Sequence, residues 1–316
     1  MTVAPRGGLT TLKHDLFGGL TAAVVALPLA LAFGIASGAG AIAGLYGAIA
    51  VGFFAAIFGG TPSQVSGPTG PMTVVMAVVV TQFAGNLAEA FTIVMFGGLI
   101  QIGFGVMRLG RYIVYTPFSV ISGFMSGIGV IIMVIQVLPL FGLATAGGPL
   151  ASVMAWPRIA ADMNLDAVIV GVVTLAVASF WPGLLRRVLP SPLAALIIGT
   201  LAAMFLFPAA PRLGDIPTGL PSLVIPVVDF GEIPRMLQAG FILAILGSID
   251  SLLTALIADQ ITRSRHNSDR ELIGQGIGNI AAGLIGGLPG AGATMRTVIN
   301  VRAGGRTPVS GAIHAI

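Results

Sequence analysis

SGPTGPMT at 66–73 and PGAGATMRT at 289–297 are the two stretches on which the fold turns. Each clusters glycine, proline and small residues inside sequence that is otherwise apolar. Proline removes an amide donor and glycine weakens a helix, so each cluster interrupts one. In lipid such an interruption leaves backbone groups that protein or ligand must satisfy. Paired interruptions at matching places mark transporters built from two repeats. The places do match. The first and eighth apolar segments begin 220 residues apart (16 and 236), and the third and tenth begin 222 apart (68 and 290). Seven segments per repeat is an odd number, so the second repeat is inverted relative to the first.

The surrounding sequence is that of an all-α integral membrane protein. Residues 16–88 form 73 positions without Asp, Glu, Lys, Arg or His, residues 112–157 form 46 more, and residues 272–295 another 24. A membrane helix needs about 20 apolar residues, so the first stretch holds three. Charged residues make up 8% of the chain, about a third of what a soluble domain carries, and the mean hydropathy is +1.01. A water-soluble fold is excluded. Breaks at Gly, Pro and charge place spans near 16–38, 41–60, 68–84, 91–107, 112–142, 166–184, 189–208, 236–258, 272–288 and 290–301, with another from about 307. Pro117 starts or bends the fifth.

With the N-terminus in the cytoplasm, eleven basic residues fall inside: Arg6, Lys13, Arg108, Arg111, Arg186, Arg187, Arg263, Arg265, Arg270, Arg302 and Arg306. Only Arg158, Arg212 and Arg235 fall outside. That asymmetry obeys the positive-inside rule and sets the orientation in a cell inner (plasma) membrane. It also accounts for the net charge of +4 without nucleic acid, because the arginines are scattered between apolar segments. Cysteine is absent, which removes disulfides and thiolate chemistry.

The candidate chemistry sits at the breaks. A helix start offers unpaired N–H groups and the positive end of a dipole, and small residues let an anion approach. Thr69 and Thr294 add hydroxyls. Asp250 lies in the middle of the eighth span, where a carboxylate costs roughly 2.5–3.5 kcal/mol and so faces a polar cavity. Thr254 is four residues on and shares its helical face. The pair can ligate Na⁺ with carbonyls of the broken backbone near Gly292, or Asp250 can take up a proton. Arg296, one turn into the tenth span, either attracts the anion or forms an ion pair with Asp250.

Other features carry less. Gly123 and Gly127 read as helix packing. GQGIGN (274–279) lacks the strand and acidic partner of a nucleotide loop. His14, His266 and His314 are too scattered to predict a ligand set. RSRHNSDRE (263–271) reads as a solvated cytoplasmic loop, with Asp259 and Thr262 bracing the span before it. No nucleophile–base or metal constellation points to an enzyme.

In DLFGGLTAAVVALPLALAFGIASGAG (15–40), GPTGPMTVVM (67–76), SGFMSGIG (122–129) and residues 250–311, the sequence resembles the sulfate permease (SulP) family of anion transporters, most of all its BicA-type sodium–bicarbonate symporters. The resemblance implies a UraA/SulP-like fold of seven plus seven spans, a homodimer, and a core moving against a gate as an elevator. The core corresponds to 1–110 and 236–316 and the gate to 111–235. It also implies anion-binding roles for Phe33, Thr69, Ala293 and Thr294, and a Na⁺ site of Asp250, Thr254, Gly292 and Thr294. Arg296 stands where the bicarbonate symporters tend to have a small residue and other branches have Arg, and Leu29 stands where many relatives have Gln. These departures leave coupling and substrate open.

The expected function is coupled transport of a small inorganic anion, bicarbonate or sulfate, by Na⁺ or H⁺ symport, with no other cofactor. A nucleobase transporter of the same fold and an anion channel are the alternatives. By the repeat spacing the chain is expected to be truncated after about span eleven, lacking spans twelve to fourteen and the STAS domain.

Overall fold

The computed structural model describes residues 8–83, 86–115, 117–146, 148–183, 185, 189, 191–212 and 221–316. Arg6, Arg186 and Arg187 of the charge map lie outside the described residues. The described chain is helical apart from one pair of two-residue strands. It divides into two compact units, residues 1–126 with 217–316, and residues 127–216.

The larger unit begins with α1 (Gly8–Ala36) and α2 (Ala41–Phe58), separated by a turn in which Gly38 and Gly40 hold φ of 76° and 95°, a region that costs glycine nothing. Strand β1 (Ser66–Gly67) leads into α3 (Gly70–Gln82), whose Pro71 occupies the first turn, where a missing N–H is harmless. Then come α4 (Leu87–Val106), a 3₁₀ turn at Gly110–Tyr115 and the start of α5 (Phe118–Leu140). After the second unit the chain returns as α10 (Ile233–Thr262) and α11 (Ser268–Leu284). Strand β2 (Ala291–Gly292), α12 (Thr294–Ala303) and α13 (Pro308–Ala315) complete it. At about 1.5 Å per residue, the 30 residues of α10 exceed the thickness of a bilayer core. Pro117 immediately precedes α5, as the sequence predicts.

The second unit holds the rest of α5, the short α6 (Pro149–Ala155) and α7 (Ile159–Asp162), then α8 (Leu165–Phe180) and α9 (Ser191–Phe205). Asn164 organises it. Its carboxamide oxygen caps α8 by accepting from Ala167 N at 3.0 Å, and its Nδ2 donates to Ala209 O at 2.8 Å.

Among the described residues, four helical segments are long and apolar enough to cross a membrane: Thr10–Ala36, Ala41–Phe58, Leu87–Val106 and Ile233–Thr262. The stretches Pro149–Asp162 and Leu165–Phe180 pass the same test only when joined as a pair, bent by 117°, which is the geometry of a broken span or a re-entrant loop. The eleven-span map therefore counts segments that, taken singly, are too short to cross, including the third and tenth. Helical residues at 149–162 were not anticipated, because the sequence there lacks a long apolar run.

Polarity is turned inside out relative to a soluble protein. Phe17 and Leu99 are 65% and 61% exposed, while Asp250, Glu271, Arg296 and Asn279 are buried. Lipid is the solvent that favours such a surface. The core of the larger unit runs through Met72, Met76, Ile93, Met236, Leu243 and Leu288. Beside it α4 and α11 meet backbone to backbone. A Cβ on Gly98 would lie 2.6 Å from Gly276 O, and one on Gly276 would lie 2.5 Å from Gly98 O. The glycines of GQGIGN thus serve close packing, as small residues do between membrane helices, and not a cofactor. Gly123 and Gly127, by contrast, meet no atom within 4 Å among the described residues, so the packing expected of them is not seen there.

Candidate functional site: two uncapped half-helices on one buried carboxylate

The two interruptions come together. β1 and β2 pair antiparallel, with Ser66 opposite Gly292 and Gly67 opposite Ala291. A Cβ at Gly290 would stand 2.6 Å from Gly67 C and O, so only glycine lets the backbones approach this closely. Thr297 fastens the pair from the far side: its hydroxyl accepts from Val65 N at 3.0 Å, and Ala293 N donates to Val65 O at 2.8 Å. Two broken spans are thereby tied into one element although they lie more than 220 residues apart in the chain.

Each strand delivers its chain into a helix with no side-chain cap. Thr69 is the N-cap of α3 and Ala293 that of α12, and neither makes a capping hydrogen bond. Side-chain caps are present on α8 (Asn164), α11 (Asn267) and α13 (Thr307), whereas α2, α4, α6, α7 and α10 share the lack of one. An uncapped start keeps first-turn N–H groups available to a ligand and presents the positive end of the dipole.

Both starts face α10. The Thr69 hydroxyl lies beside the Asp250 carboxyl, yet Thr69 Oγ1 and Asp250 Oδ2 are both buried without a hydrogen bond of proper geometry. One turn along α10, Thr254 Oγ1 donates to Gly292 O at 2.9 Å and lies 2.7 Å from Thr294 Oγ1, which donates to it. Ser251 Oγ accepts from Gly292 N at 3.0 Å. Thr254, Gly292 and Thr294 therefore gather their oxygens in one place, one helical turn along α10 from Asp250. Ala293, the N-cap of α12 between Gly292 and Thr294, is 8% exposed. Phe33 packs against the same apolar cluster as Met72 and Ala291.

Arg296 takes a third course. It is 3% exposed, and no Asp250 oxygen lies within ion-pair distance of it. Its Nη2 donates to Pro68 O at 2.5 Å, while Nη1 has no partner and sits where a Cβ on Gly67 would lie 2.8 Å away. The guanidinium of the tenth span thus clasps the backbone break of the third, leaving one nitrogen and a charge uncommitted.

Several polar residues at the site escape sequence reading. His314, 5% exposed and unpartnered at both ring nitrogens, lies close enough to Arg296 for their charges to interact. Asn279 receives Gly290 N at 2.8 Å and donates to Gln101 Oε1 at 3.0 Å and to Gly290 O at 3.1 Å. The stretch 263–271 is corrected: it is not a solvated loop throughout. Asn267 caps α11, whose first turn takes in Asp269, Arg270 and Glu271, and Glu271 is 1% exposed. The His266 ring lies between Asp259 Oδ2 at 2.7 Å and Ser268 Oγ at 2.8 Å. Asp259 does brace the end of α10, as expected, by accepting from Ser264 Oγ and His266 N.

Broken spans joined at a buried polar site define a class of helical membrane transport proteins. The sulfate permease family profile matches residues 12–316, and the chain belongs to that family, one of transporters and not of enzymes. It is 49% identical to the bicarbonate transporter BicA of Picosynechococcus sp., over 96% of this chain and 56% of the relative. It is 50% identical to BicA of Synechocystis sp., with the same coverage. The putative sulfate transporter YvdB of Bacillus subtilis is 32% identical, over 98% of this chain and 59% of the relative. Among solved structures, the transmembrane domain of a cyanobacterial BicA superposes with a TM-score of 0.88 at 48% identity, covering 98% of this chain and 81% of that one. Murine Slc26a9, at 21% identity and a TM-score of 0.81, shares the fold, covering 99% of this chain and 56% of that one. The chain spans a little over half the length of these curated relatives.

Proposed function

We propose that the protein carries a small inorganic anion across the inner membrane by coupled secondary transport, with bicarbonate first and sulfate second. The observation that carries the proposal is the meeting of two uncapped helix starts on Asp250 and Thr254, with Thr69 Oγ1 and Asp250 Oδ2 left unpartnered. In this reading the anion lies between the first-turn N–H groups of α3 and α12, against Thr69, Ala293 and Thr294, with Phe33 as its apolar wall. The spare Arg296 nitrogen supplies positive charge. The coupling ion is Na⁺, held by Asp250, Thr254, Thr294 and the Gly292 carbonyl, or a proton on Asp250. The all-oxygen donor set favours Na⁺, and the two bicarbonate transporters among the relatives favour bicarbonate.

The same reading takes residues 1–110 and 236–316 as the moving core and residues 111–235 as the gate, in a homodimer with a cytoplasmic N-terminus. The antiparallel joining of the two breaks supports the inverted seven-plus-seven repeat. Uptake of labelled bicarbonate and sulfate into proteoliposomes, under Na⁺ or pH gradients and with uracil as competitor, tests it. Saturable bicarbonate uptake driven by inward Na⁺ is the expected result. Failure to take up either anion overturns the assignment, and inhibition by uracil would move it to nucleobases.

A further inference from the structure

Asp250 is not the only carboxylate buried near the breaks. Glu271, 1% exposed on α11, takes no part in the site described above, and no arginine or lysine among the described residues lies within ion-pair distance of it. Three N–H donors hold it instead: Gly60 N at 2.9 Å on Oε2, with Gln64 Nε2 and Gln275 Nε2 each at 2.8 Å on Oε1. Burying a carboxylate without a cation is expensive compared with an apolar side chain of similar size. Its donors explain what the charge does.

Both carboxamides lead to the same backbone residue. Gln64 Nε2 lies 2.3 Å from where a Cβ on Gly292 would stand, so the amide lies directly against that backbone. Gln275 Nε2 donates at 2.6 Å to Ser66 Oγ, and Ser66 is the residue paired with Gly292 across the strands. The oxygen ends, Gln64 Oε1 and Gln275 Oε1, are buried and unpartnered. Glu271 is therefore the acceptor that the two amides share, with Ser66 Oγ a second acceptor for Gln275. Gly292 in turn offers its carbonyl to Thr254, beside Thr294.

We propose that Glu271 is a positioning residue for the ion sites, acting through Gln64 and Gln275 to set Gly292 and the start of α12. The inference rests on the transport reading above. An amide at 271 would present an NH₂ among three donors, so at least one donor would face another, and the support behind Gly292 would shift.

The test compares wild type, Glu271→Gln and Gln64→Met in the full-length protein. Two measurements are made: uptake kinetics in proteoliposomes, and the shift in unfolding temperature caused by sodium bicarbonate or sodium sulfate. Loss of an orienting partner typically weakens ion binding about 10- to 100-fold. Both variants are thus expected to need about that much more Na⁺ and anion for half-saturation, with the maximal rate per folded molecule kept. Unchanged half-saturation in both variants, or a fall in maximal rate alone, overturns the proposal. If Glu271→Gln does not fold, Gln64→Met decides alone. Wild type that is stabilised by the salts but transports neither anion would sink the transport reading and leave the positioning claim to the unfolding shifts. Wild type that does neither would sink both.

Discussion

Asp250 and Glu271 are both buried carboxylates in the same unit, on α10 and α11, and their surroundings differ in one respect. Glu271 receives three N–H donors on its two oxygens. Asp250 Oδ2 receives none, although Thr69 and Arg296 are near. A buried acceptor left without a donor costs about 1–3 kcal/mol. A fold sustains that cost where something else completes the coordination, whereas a fully satisfied carboxylate acts on its neighbours. On the reading proposed above, burial alone does not tell an ion site from its scaffold, and what separates Asp250 from Glu271 is the count of donors.

The comparison is broken most directly by removing each carboxylate. Asp250→Ala is expected to abolish gradient-driven uptake while leaving the unfolding temperature unchanged or higher, because it deletes an unsatisfied group. Full gradient-driven uptake in that variant would remove Asp250 from the site. Glu271→Leu strands Gly60 N and two carboxamides and is expected to lose about 3 kcal/mol or more of stability; denaturant or thermal unfolding in detergent measures it, and a loss below about 1 kcal/mol would contradict the contrast. Thr254→Val removes the hydroxyl between Gly292 O and Thr294 Oγ1. It should raise the half-saturating Na⁺ concentration about tenfold, the equivalent of 1.4 kcal/mol, and equal Na⁺ dependence would place the cation elsewhere.

The smallest effect is expected at a third carboxylate. Asp15 of α1, also 1% exposed, accepts from Arg306 N at 2.7 Å, Thr307 N at 3.1 Å and Thr307 Oγ1 at 2.5 Å, and so fastens the start of α13. Asp15→Asn should cost about 1 kcal/mol, the scale of a helix cap. Half-saturating ion concentrations should not change. If they do, Asp15 belongs with Glu271.

What the sequence discloses follows from the same contrast. Asp250, Thr69 and Thr294 are legible because a charge inside an apolar run, or a glycine–proline cluster, is anomalous where it stands. Glu271 is not, since in RSRHNSDRE it is one charge among several, and such a run usually faces water. Gln64, Gln275 and Asn279 gain their meaning only from partners in the fold: Gln275 and Ser66 are 209 residues apart in the chain. Arg296 was readable as a charge near the anion, but its grip on Pro68 required the two breaks to be seen side by side. The span map matches long apolar helices such as α10, while its third and tenth segments are helices of 13 and 10 residues, and hydropathy does not report whether such a segment crosses or turns back.

The seam between α4 and α11 has a mechanical corollary. Where Gly98 and Gly276 meet, each backbone faces the other's carbonyl with the Ile102 and Ile280 side chains alongside, and the glycines themselves have no rotamer entropy to lose or regain. Contacts of that kind are stiff, offering one seating and no ratchet of alternative fits. On the transport reading proposed above, displacement during turnover would be absorbed at other joints, with α4 and α11 carried as freight without being re-sorted.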